Sequence, residues 1–504
     1  MSSPIQPAPR AAGFHDLREG QVLEAQVCVV GAGPGGSTVA WELARAGLDV
    51  LVLEEGPRAS DFRPNQAHTA RVHMQEAATM LAQGPTPFLI AAGRGLGGGT
   101  LINSALCFRT PEHVLQEWEE LLGDSGWGPQ AMGELFDEVE RVTGVGLPLS
   151  DYVAGEHNLR IAAAAERLGL PGGLARRNTP GCVGCGQCNF GCRVGGKASV
   201  NLNYLPMAVR AGARVQAELK VLSVDTEGER VVGVSGRGVD PKSGQLGPSV
   251  SVRAEHVALA AGAVGTPRLL HLCGLAERIP HCGEGLLVHP GSAVLARFPE
   301  PVDVFHGATQ GVWFEDPALP GVLPHGWASP PEVISMLLAP HYGGVKHVHP
   351  HLRHIGGVLA LVSDHGHGSV GAYDDGRAKI RYDFDPHDVE RIQEGMVLCA
   401  RVLLEAGATE LYAVAHGIPV TGDLDTFAAA MRATSIRDFT LYAAHPMCTM
   451  RMGRSLDSEG SVLGLQALTV ADAGVFPSSL GVNPQLSTMA AGTRIGRRLA
   501  ARLS

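Results

Sequence analysis

The sequence predicts an α/β fold with a parallel-sheet unit and a second, antiparallel sheet, and three observations carry that expectation. Residues 27–57 read as strand, glycine turn, helix, strand and acid. Residues 251–272 read as another strand, a glycine turn and a helix. From His289 to about Thr440 the chain alternates apolar and polar residues between many Pro and Gly, the pattern of a sheet domain.

The first unit is the most informative. Residues 27–30 form a short apolar strand that ends in Gly31-Ala-Gly33-Pro34-Gly35-Gly36. A helix is expected from Ser37 to about Ala46, with Val39, Ala40, Leu43 and Ala44 on one face, and Gly47 stops it. A second strand over 50–53 delivers Glu54, followed by Glu55. This is the dinucleotide-binding unit of a Rossmann-type domain. Gly31 allows the tight turn, Gly33 lets backbone N–H groups approach a pyrophosphate, and Gly36 lets helix and strand pack closely. The helix N-terminus turns its partial positive charge to the phosphates. Glu54 is placed to accept both ribose hydroxyls, which favours FAD or NAD over NADP.

With 504 residues the chain exceeds one ordinary domain and buries a large core. Its 66 glycines suit backbone wrapped closely round a cofactor. A formal charge of −10 and the lack of a Lys/Arg run argue against nucleic acid as a partner. No apolar stretch reaches membrane-spanning length. Residues 1–20 have no apolar core of the secretory kind and read as a loose leader, so a cytoplasmic location is expected. Ten Cys in such a protein point to metal or redox use before disulfides.

After Glu54 a polar loop is expected over 56–65 and a helix over 72–81. Then comes Gly93-Arg94-Gly95-Leu-Gly97-Gly98-Gly99-Thr100-Leu-Ile102-Asn103, whose glycines let backbone lie flat against something planar or anionic. Here the chain resembles the glucose–methanol–choline (GMC) flavoprotein oxidoreductases. That family carries the N-terminal glycine fingerprint and then a G-R-x-L-G-G-[GST]-[ST]-x-x-N segment over the flavin, and residues 93–103 match it. The resemblance implies that Arg94, Gly97, Gly98, Thr100 and Asn103 serve the flavin. Some members tether FAD through a His just before that Asn. Ile102 stands there, so non-covalent FAD is expected. Cys107 and Phe108 follow where the family usually has an aromatic residue or Ala.

Helices are expected within 111–145, with Trp118 and Trp127 in packing roles, and over 159–168. The stretch Cys182-Val-Gly-Cys185-Gly-Gln-Cys188-Asn-Phe-Gly-Cys192 follows, four Cys in eleven residues. Its C-x2-C-x2-C-x3-C spacing is that of bacterial ferredoxins, although Arg193 replaces the usual Pro. An iron–sulfur cluster, a zinc site or relict thiol turn, and two disulfides are all open readings. Cys182, Cys188 and Cys192 also match a pattern that holds a three-iron cluster in GMC-type sugar dehydrogenase subunits. Residues 195–206 are similar to the segment after the Cys cluster in long-chain alcohol oxidases.

Residues 213–236 read as a β-hairpin with its turn at 226–229. The resemblance places Val221 beside the adenine. The strand over 251–260 leads into Ala261-Gly262-Ala263-Val-Gly265-Thr266-Pro267 and a helix over 268–272, a partial match to the family's second signature. Between His289 and Thr440, His341, His347, His349, His351, His354, His365 and His367 crowd together with one carboxylate, Asp364, which favours surface or hydrogen-bonded imidazoles over a metal site.

Two closing stretches resemble the family's catalytic segments: Ala443-Ala-His445-Pro446-Met-Cys448-Thr449-Met450-Arg-Met-Gly453, and Ala471-Asp472-Ala473 through Asn483-Pro484-Gln485, followed by a helix over 486–501. The resemblance makes His445 the base near flavin N5 and Asn483 its partner. It brings Asp472 and Ala473 to the flavin pyrophosphate and ribityl chain, and aims the helix after Pro484 and Gln485 at the flavin C2=O. His suits proton removal from a hydroxyl near neutral pH. Asn can donate to the alkoxide without competing as a base.

The expected organisation is a discontinuous FAD-binding domain (20–115, 195–288 and 441–504), a helical and Cys-cluster insertion (116–194) and a substrate-binding domain (289–440). The expected function is FAD-dependent oxidation of a small-molecule alcohol, with oxygen, a quinone or a redox protein as electron acceptor. The alternatives are lyase, decarboxylase or isomerase chemistry on the same fold, or a non-catalytic flavin and iron–sulfur module.

Overall fold

A computed structural model describes residues 11–58, 62, 63, 65–342 and 345–504. It is built on two sheets, each with its own apolar core. In the first, strand Gln21–Val30 runs parallel to Val50–Leu53 on one side and to Leu246–Leu259 on the other. Arg214–Gln216 extends the parallel edge beyond Val50–Leu53. Val27, Cys28, Val29, Val50 and Val52 are all fully buried, as short apolar runs must be when a parallel sheet is covered on both faces.

Leu246–Leu259 is 14 residues long and serves two neighbours along one edge. Its early part pairs antiparallel with Arg230–Val239, which closes the expected hairpin with Leu219–Glu227. Its end pairs parallel with Leu468–Val470. That last pairing brings the C-terminal segment alongside the glycine turn.

The first helix is Pro34–Arg45, three residues earlier at its start than the apolar periodicity suggests. Proline fixes φ and needs no N–H at a helix start, so the helix begins at Pro34 itself. This helix packs against the last one, Gln485–Leu503, through small residues. A Cβ on Gly492 would stand 2.2 Å from Thr38 Oγ1, and one on Gly35 would stand 1.7 Å from the Ala471 carbonyl oxygen.

The helix expected over 72–81 is not there. Helix Gln66–His73 ends at an extended Met74, followed by a turn over Gln75–Ala78 and strand Leu81–Gln83. Glu76, Ala77 and Ala78 have φ of 46°, 53° and 65°. Long-range bonds outweigh helix propensity here: Gln75 N–H donates to the Ala92 carbonyl, and Glu76 Oε1 accepts from Ala378 N–H at 2.8 Å and Arg268 at 3.2 Å. The loop expected over 56–65 lies partly outside the described residues.

The helix expected over 268–272 instead spans Gly262–Leu272, with Pro267 inside it. Pro267 cannot donate to the Ala263 carbonyl one turn back. Thr449 Oγ1 takes that role at 2.7 Å, so the helix continues through the proline.

The second sheet has Gly291–Arg297 and the fully buried Ile355–Val362 at its centre, antiparallel, with Val322–Gly326 beyond. Helix Pro386–Glu405 covers it. It also recruits Leu81–Gln83, Phe88–Ile90, Gly172–Leu174, Glu284–Leu286 and Tyr442–Ala443 from outside 289–440. Residues 11–20 are not loose. Ala12 pairs with Val215 and Ala217, and Phe14 N–H donates to Glu218 at 2.8 Å. Residues 1–10 lie outside the described residues. Among the described residues no helix is long and apolar enough to cross a membrane.

Candidate active site

A cavity of about 440 Å³ is lined from both sheets. One wall is the glycine turn. Gly31, Gly33, Pro34 and Gly35 line it, and the helix that starts there has no side-chain cap at Gly33. Its first N–H groups are therefore unspent and no side chain screens them, which suits a phosphate.

Glu54 is buried at the floor of this wall. Its carboxylate accepts from Ala32 N–H at 3.0 Å, Gly56 N–H at 2.9 Å and Gly95 N–H at 3.0 Å. A carboxylate offers about four acceptor sites. Three are taken by backbone, so Glu54 clasps the glycine turn to the 93–99 loop and keeps about one site for a ribose hydroxyl rather than two. Burial pushes its carboxyl upward, against the pull of these N–H donors. Glu55 lines the cavity beside Arg94 at 3.7 Å and Lys220 at 4.0 Å.

Three of the expected cofactor residues do not line the cavity: Gly36, Arg94 and Gly97. They work behind the wall. A Cβ on Gly36 would stand 2.0 Å from the Gly31 carbonyl oxygen, which is the close helix–strand contact anticipated for it. Arg94 donates to the Glu55 carbonyl at 3.1 Å, and Gly97 packs on Leu101. Gly98, Thr100, Ile102, Asn103, Val221, Ala261, Gly262, Asp472, Ala473, Pro484 and Gln485 all line the cavity.

Bonds across long stretches of chain hold these pieces in place. Asp472 accepts from Gly262 N–H at 2.9 Å, Thr266 Oγ1 at 2.5 Å and Gly474 N–H at 2.8 Å, while burial pushes its carboxyl upward. Asn103 Nδ2 donates to Gln485 Oε1 at 2.7 Å. Gln485 begins the last helix, whose N-cap Pro484 brings no side-chain cap. Two uncapped helix N-termini and a glycine floor therefore face one cavity, and that arrangement fits a dinucleotide cofactor.

At the other end stand three imidazoles and an amide. His445 Nε2 lies 3.1 Å from Asn483 Nδ2. His445 Nδ1 lies 3.4 Å from His289 Nδ1. His289 Nε2 accepts from Gly481 N–H at 3.1 Å and bonds Ser479 Oγ at 2.9 Å. His325 lines the same cavity from strand Val322–Gly326. Its Nδ1 bonds the Leu323 carbonyl at 3.0 Å, and its Nε2 has no partner. Asn483 Oδ1 is likewise buried without a partner.

Burial holds all three imidazoles neutral. It pushes His289 down to about 3 and His325 down to about 4, and it holds His445 well below the usual imidazole value with His289 and His325 alongside. His289 has φ of 49°, a left-handed conformation that a bulky residue resists. Asp364 enforces it by accepting from the N–H groups of Val288 at 2.8 Å and His289 at 3.1 Å, with Tyr382 OH on its other side at 2.5 Å.

Sequence reasoning reached His445 and Asn483 and missed His289 and His325. His289-Pro290 was legible only as a domain boundary, and His325 sits in a strand with no motif around it.

The four clustered Cys line one small void with Lys197. Every Cys in the chain is a free thiol. Cys188 Sγ accepts from Arg177 at 3.2 Å, Cys182 Sγ from Gly184 N–H at 3.4 Å and Cys192 Sγ from Lys197 N–H at 3.3 Å. Arg177 and Lys197, each 1% exposed, stand among them. Among the described residues no group of three or more His, Cys, Asp or Glu is placed to hold a metal ion. The iron–sulfur expectation for Cys182, Cys185, Cys188 and Cys192 therefore gains no support. The His-rich segment is dispersed: His351 stacks on Tyr342, and His365 bonds Asp388 at 3.0 Å.

Comparison with known proteins gives the family. Two models described as GMC oxidoreductase match residues 29–291 and 367–492. A GMC-type oxidoreductase of Mycobacterium tuberculosis is 34% identical over 480 residues, covering 93% of this chain and 75% of that protein. A long-chain-alcohol oxidase of Arabidopsis thaliana is 28% identical over 522 residues, covering 92% of this chain and 66% of its own length. Among solved structures, pyridoxine 4-oxidase from Mesorbium loti superposes with a TM-score of 0.71 at 18% identity, covering 94% of this chain and 99% of that one.

Proposed function

The chain belongs to the GMC oxidoreductase family, and from that premise we propose that it binds FAD without a covalent tether and oxidises an alcohol to the aldehyde or ketone. The observation that carries the reading is the cluster of neutral His289, His325 and His445 with Asn483 at one end of a cavity whose other end suits a dinucleotide.

Alcohol oxidation needs one group to take the hydroxyl proton and others to steady the oxygen as it becomes an alkoxide and then a carbonyl. FAD, when bound, supplies the acceptor for the carbon-bound hydride. Neutral imidazoles are competent proton acceptors, and His445 is the one the family resemblance points to. Asn483 supplies an amide beside it for the oxygen. The residues that would hold the cofactor are the glycine turn with Glu54, the 98–103 loop, Val221, Asp472 and the start of the last helix. That start would offer the bound cofactor a positive helix end, which would favour the negative charge gained on reduction.

Molecular oxygen is the electron acceptor we favour, in keeping with the oxidase names of the Arabidopsis relatives. The experiment is anaerobic mixing of the purified protein with a panel of alcohols, primary to long-chain, read at the flavin absorption band. Bleaching by an alcohol, followed by recovery on admitting oxygen, is expected. Bleaching that only a quinone or redox protein reverses would make it a dehydrogenase. No bleaching by any alcohol would turn the reading to lyase or isomerase chemistry.

A further inference from the structure

Residues 289–440 give the cavity a wall made of His289, Gly291, Gln310, His325, Leu359 and Leu361. None of them carries a charge, since burial keeps His289 and His325 neutral. The charged residues on the cavity are Glu54, Glu55, Lys220, Arg268 and Asp472, and all five belong to the glycine-turn sheet or to segments that join it. Arg268 is taken by Glu76 at 3.2 Å.

The polar groups of the uncharged wall are not equally free. His289 spends Nε2 on Gly481 and Ser479 and faces His445 through Nδ1. His325 bonds the Leu323 carbonyl through Nδ1, and its Nε2 is fully buried. Gln310 differs. It is only 7% exposed and makes no side-chain hydrogen bond to a described residue. Its amide is not sealed off, so it opens on the cavity that Gln310 lines. An amide brings two N–H donors and an acceptor oxygen. Set against apolar atoms, it forfeits the bonds that water gave it.

Strand pairing places Gln310 away from the reacting end. Tyr442, close before His445 in the chain, pairs with Gly291, close after His289. Gly291 pairs with Leu361, Leu359 with His325, and His325 with Trp313. Gln310 leads into that last strand, Val312–Phe314. It therefore stands across the sheet from Gly291 by three strand spacings, about 14 Å. Leu359 and Leu361, on one face of the strand Ile355–Val362, lie between.

Resting on the alcohol-oxidising reading above, we propose that the substrate is an uncharged alcohol with an apolar middle and a second hydroxyl, and that Gln310 is the specificity-determining residue that bonds this second hydroxyl. The reacting CH–OH lies at His445 and Asn483, the carbon chain crosses Leu359 and Leu361, and the far hydroxyl meets the Gln310 amide. A plain alkanol of the same length leaves that amide unpaired against a methyl group. An ω-hydroxycarboxylate brings a charge to a wall that holds no cation.

The test uses the flavin-loaded protein and a series of chain lengths. At each length the linear alkanol, the α,ω-diol and the ω-hydroxycarboxylate are compared by kcat/KM for anaerobic flavin reduction. At lengths that span the wall the diol is expected to exceed the alkanol about ten- to a hundredfold, and the carboxylate to be the poorest. Gln310→Leu and Gln310→Met remove the amide at similar volume, so a folding failure of one leaves the other. In both, the ratio of diol to alkanol is expected to fall to about one, with the loss carried mainly by the KM of the diol. A diol no better than the alkanol at every length, or a ratio unchanged in the variants, overturns the proposal. Failure of every alcohol to bleach the wild type overturns the alcohol reading instead. Calorimetry on dithionite-reduced protein, which cannot turn over, then decides the subsite. Tighter binding of the diol that is lost in the Gln310 variants upholds it, and equal affinities for diol and alkanol overturn it.

Discussion

Removing the His445 imidazole is expected to leave the cofactor in place, since the glycine wall and Glu54 hold the far end of the cavity. His445→Ala is expected to slow alcohol-dependent flavin reduction by about a hundredfold or more, the worth of a positioned proton-transfer or oxyanion group. Asn483→Ala removes one hydrogen bond and is expected to cost about tenfold. Stopped-flow reduction at matched flavin content checks both, and equal losses would place Asn483 on a par with the imidazole. At the Cys cluster, no group of three or more His, Cys, Asp or Glu among the described residues is placed to hold a metal ion. Protein purified without oxygen is therefore expected to hold well under one equivalent of iron, acid-labile sulfide and zinc. Stoichiometric iron and sulfide that vanish in Cys188→Ser would restore the cluster.

The crossing of the first and last helices sets the cavity, because one brings the glycine turn and the other brings Asn483, Pro484 and Gln485 to its start. At Gly492 an added methyl would meet Thr38 Oγ1 at 2.2 Å and the Gly35 carbonyl oxygen at 2.9 Å. Gly492→Ala is expected to cost about 1–3 kcal/mol of stability, the usual range for overpacking a close contact. It is also expected to weaken FAD retention, because the helices must part at the cavity floor. Thermal melts with and without added FAD read both effects, and an unchanged melt would show that the crossing yields easily. The 98–103 loop carries Ile102, which cannot bond the flavin covalently, so acid precipitation is expected to release yellow FAD to the supernatant. Flavin left in the pellet would point to a tether elsewhere.

Across the whole molecule, buried neutral imidazoles tie stability to pH. Burial pushes His157 down to about 4 and His256 down to about 3, as it does His325 and His289. Between these values and the ordinary 6.5 the unfolded chain binds protons that the folded chain refuses. The stability from each such group is therefore complete above about pH 6.5 and is lost as pH falls toward 4. Buried Glu54, Asp364 and Asp472, held upward, act in the other sense. His157 isolates one term, because its Nε2 bonds only the Gly357 carbonyl at 3.0 Å. His157→Gln is expected to remove about 1.4 kcal/mol per pH unit from the slope of unfolding free energy between pH 6.5 and 4. Denaturant titrations across that range check it, and parallel slopes would mean that His157 is protonated in the fold.

Sequence alone determined the family, the glycine turn, the parallel strands and the pair His445 and Asn483, because each lies in a local pattern whose residues are neighbours in the chain. Strand 27–30, the 93–103 loop and the last helix follow from such patterns. Only the tertiary structure decided what depends on partners distant in sequence. The segment 72–81 gave up its helix to bonds with Ala92 and Ala378. Arg94, Gly36 and Gly97 went behind the wall rather than onto it. Three of the four Cys spaced for a cluster accept from Arg177, Gly184 and Lys197, donors that the spacing cannot reveal. His289 and His325 entered the cavity because the second sheet carried one just before strand Gly291–Arg297 and the other on strand Val322–Gly326, and Gly481, 192 residues away in the chain, bonds His289 Nε2. Local pattern specifies an element and its turn. Which side chains meet is settled by packing between segments that the chain does not place side by side.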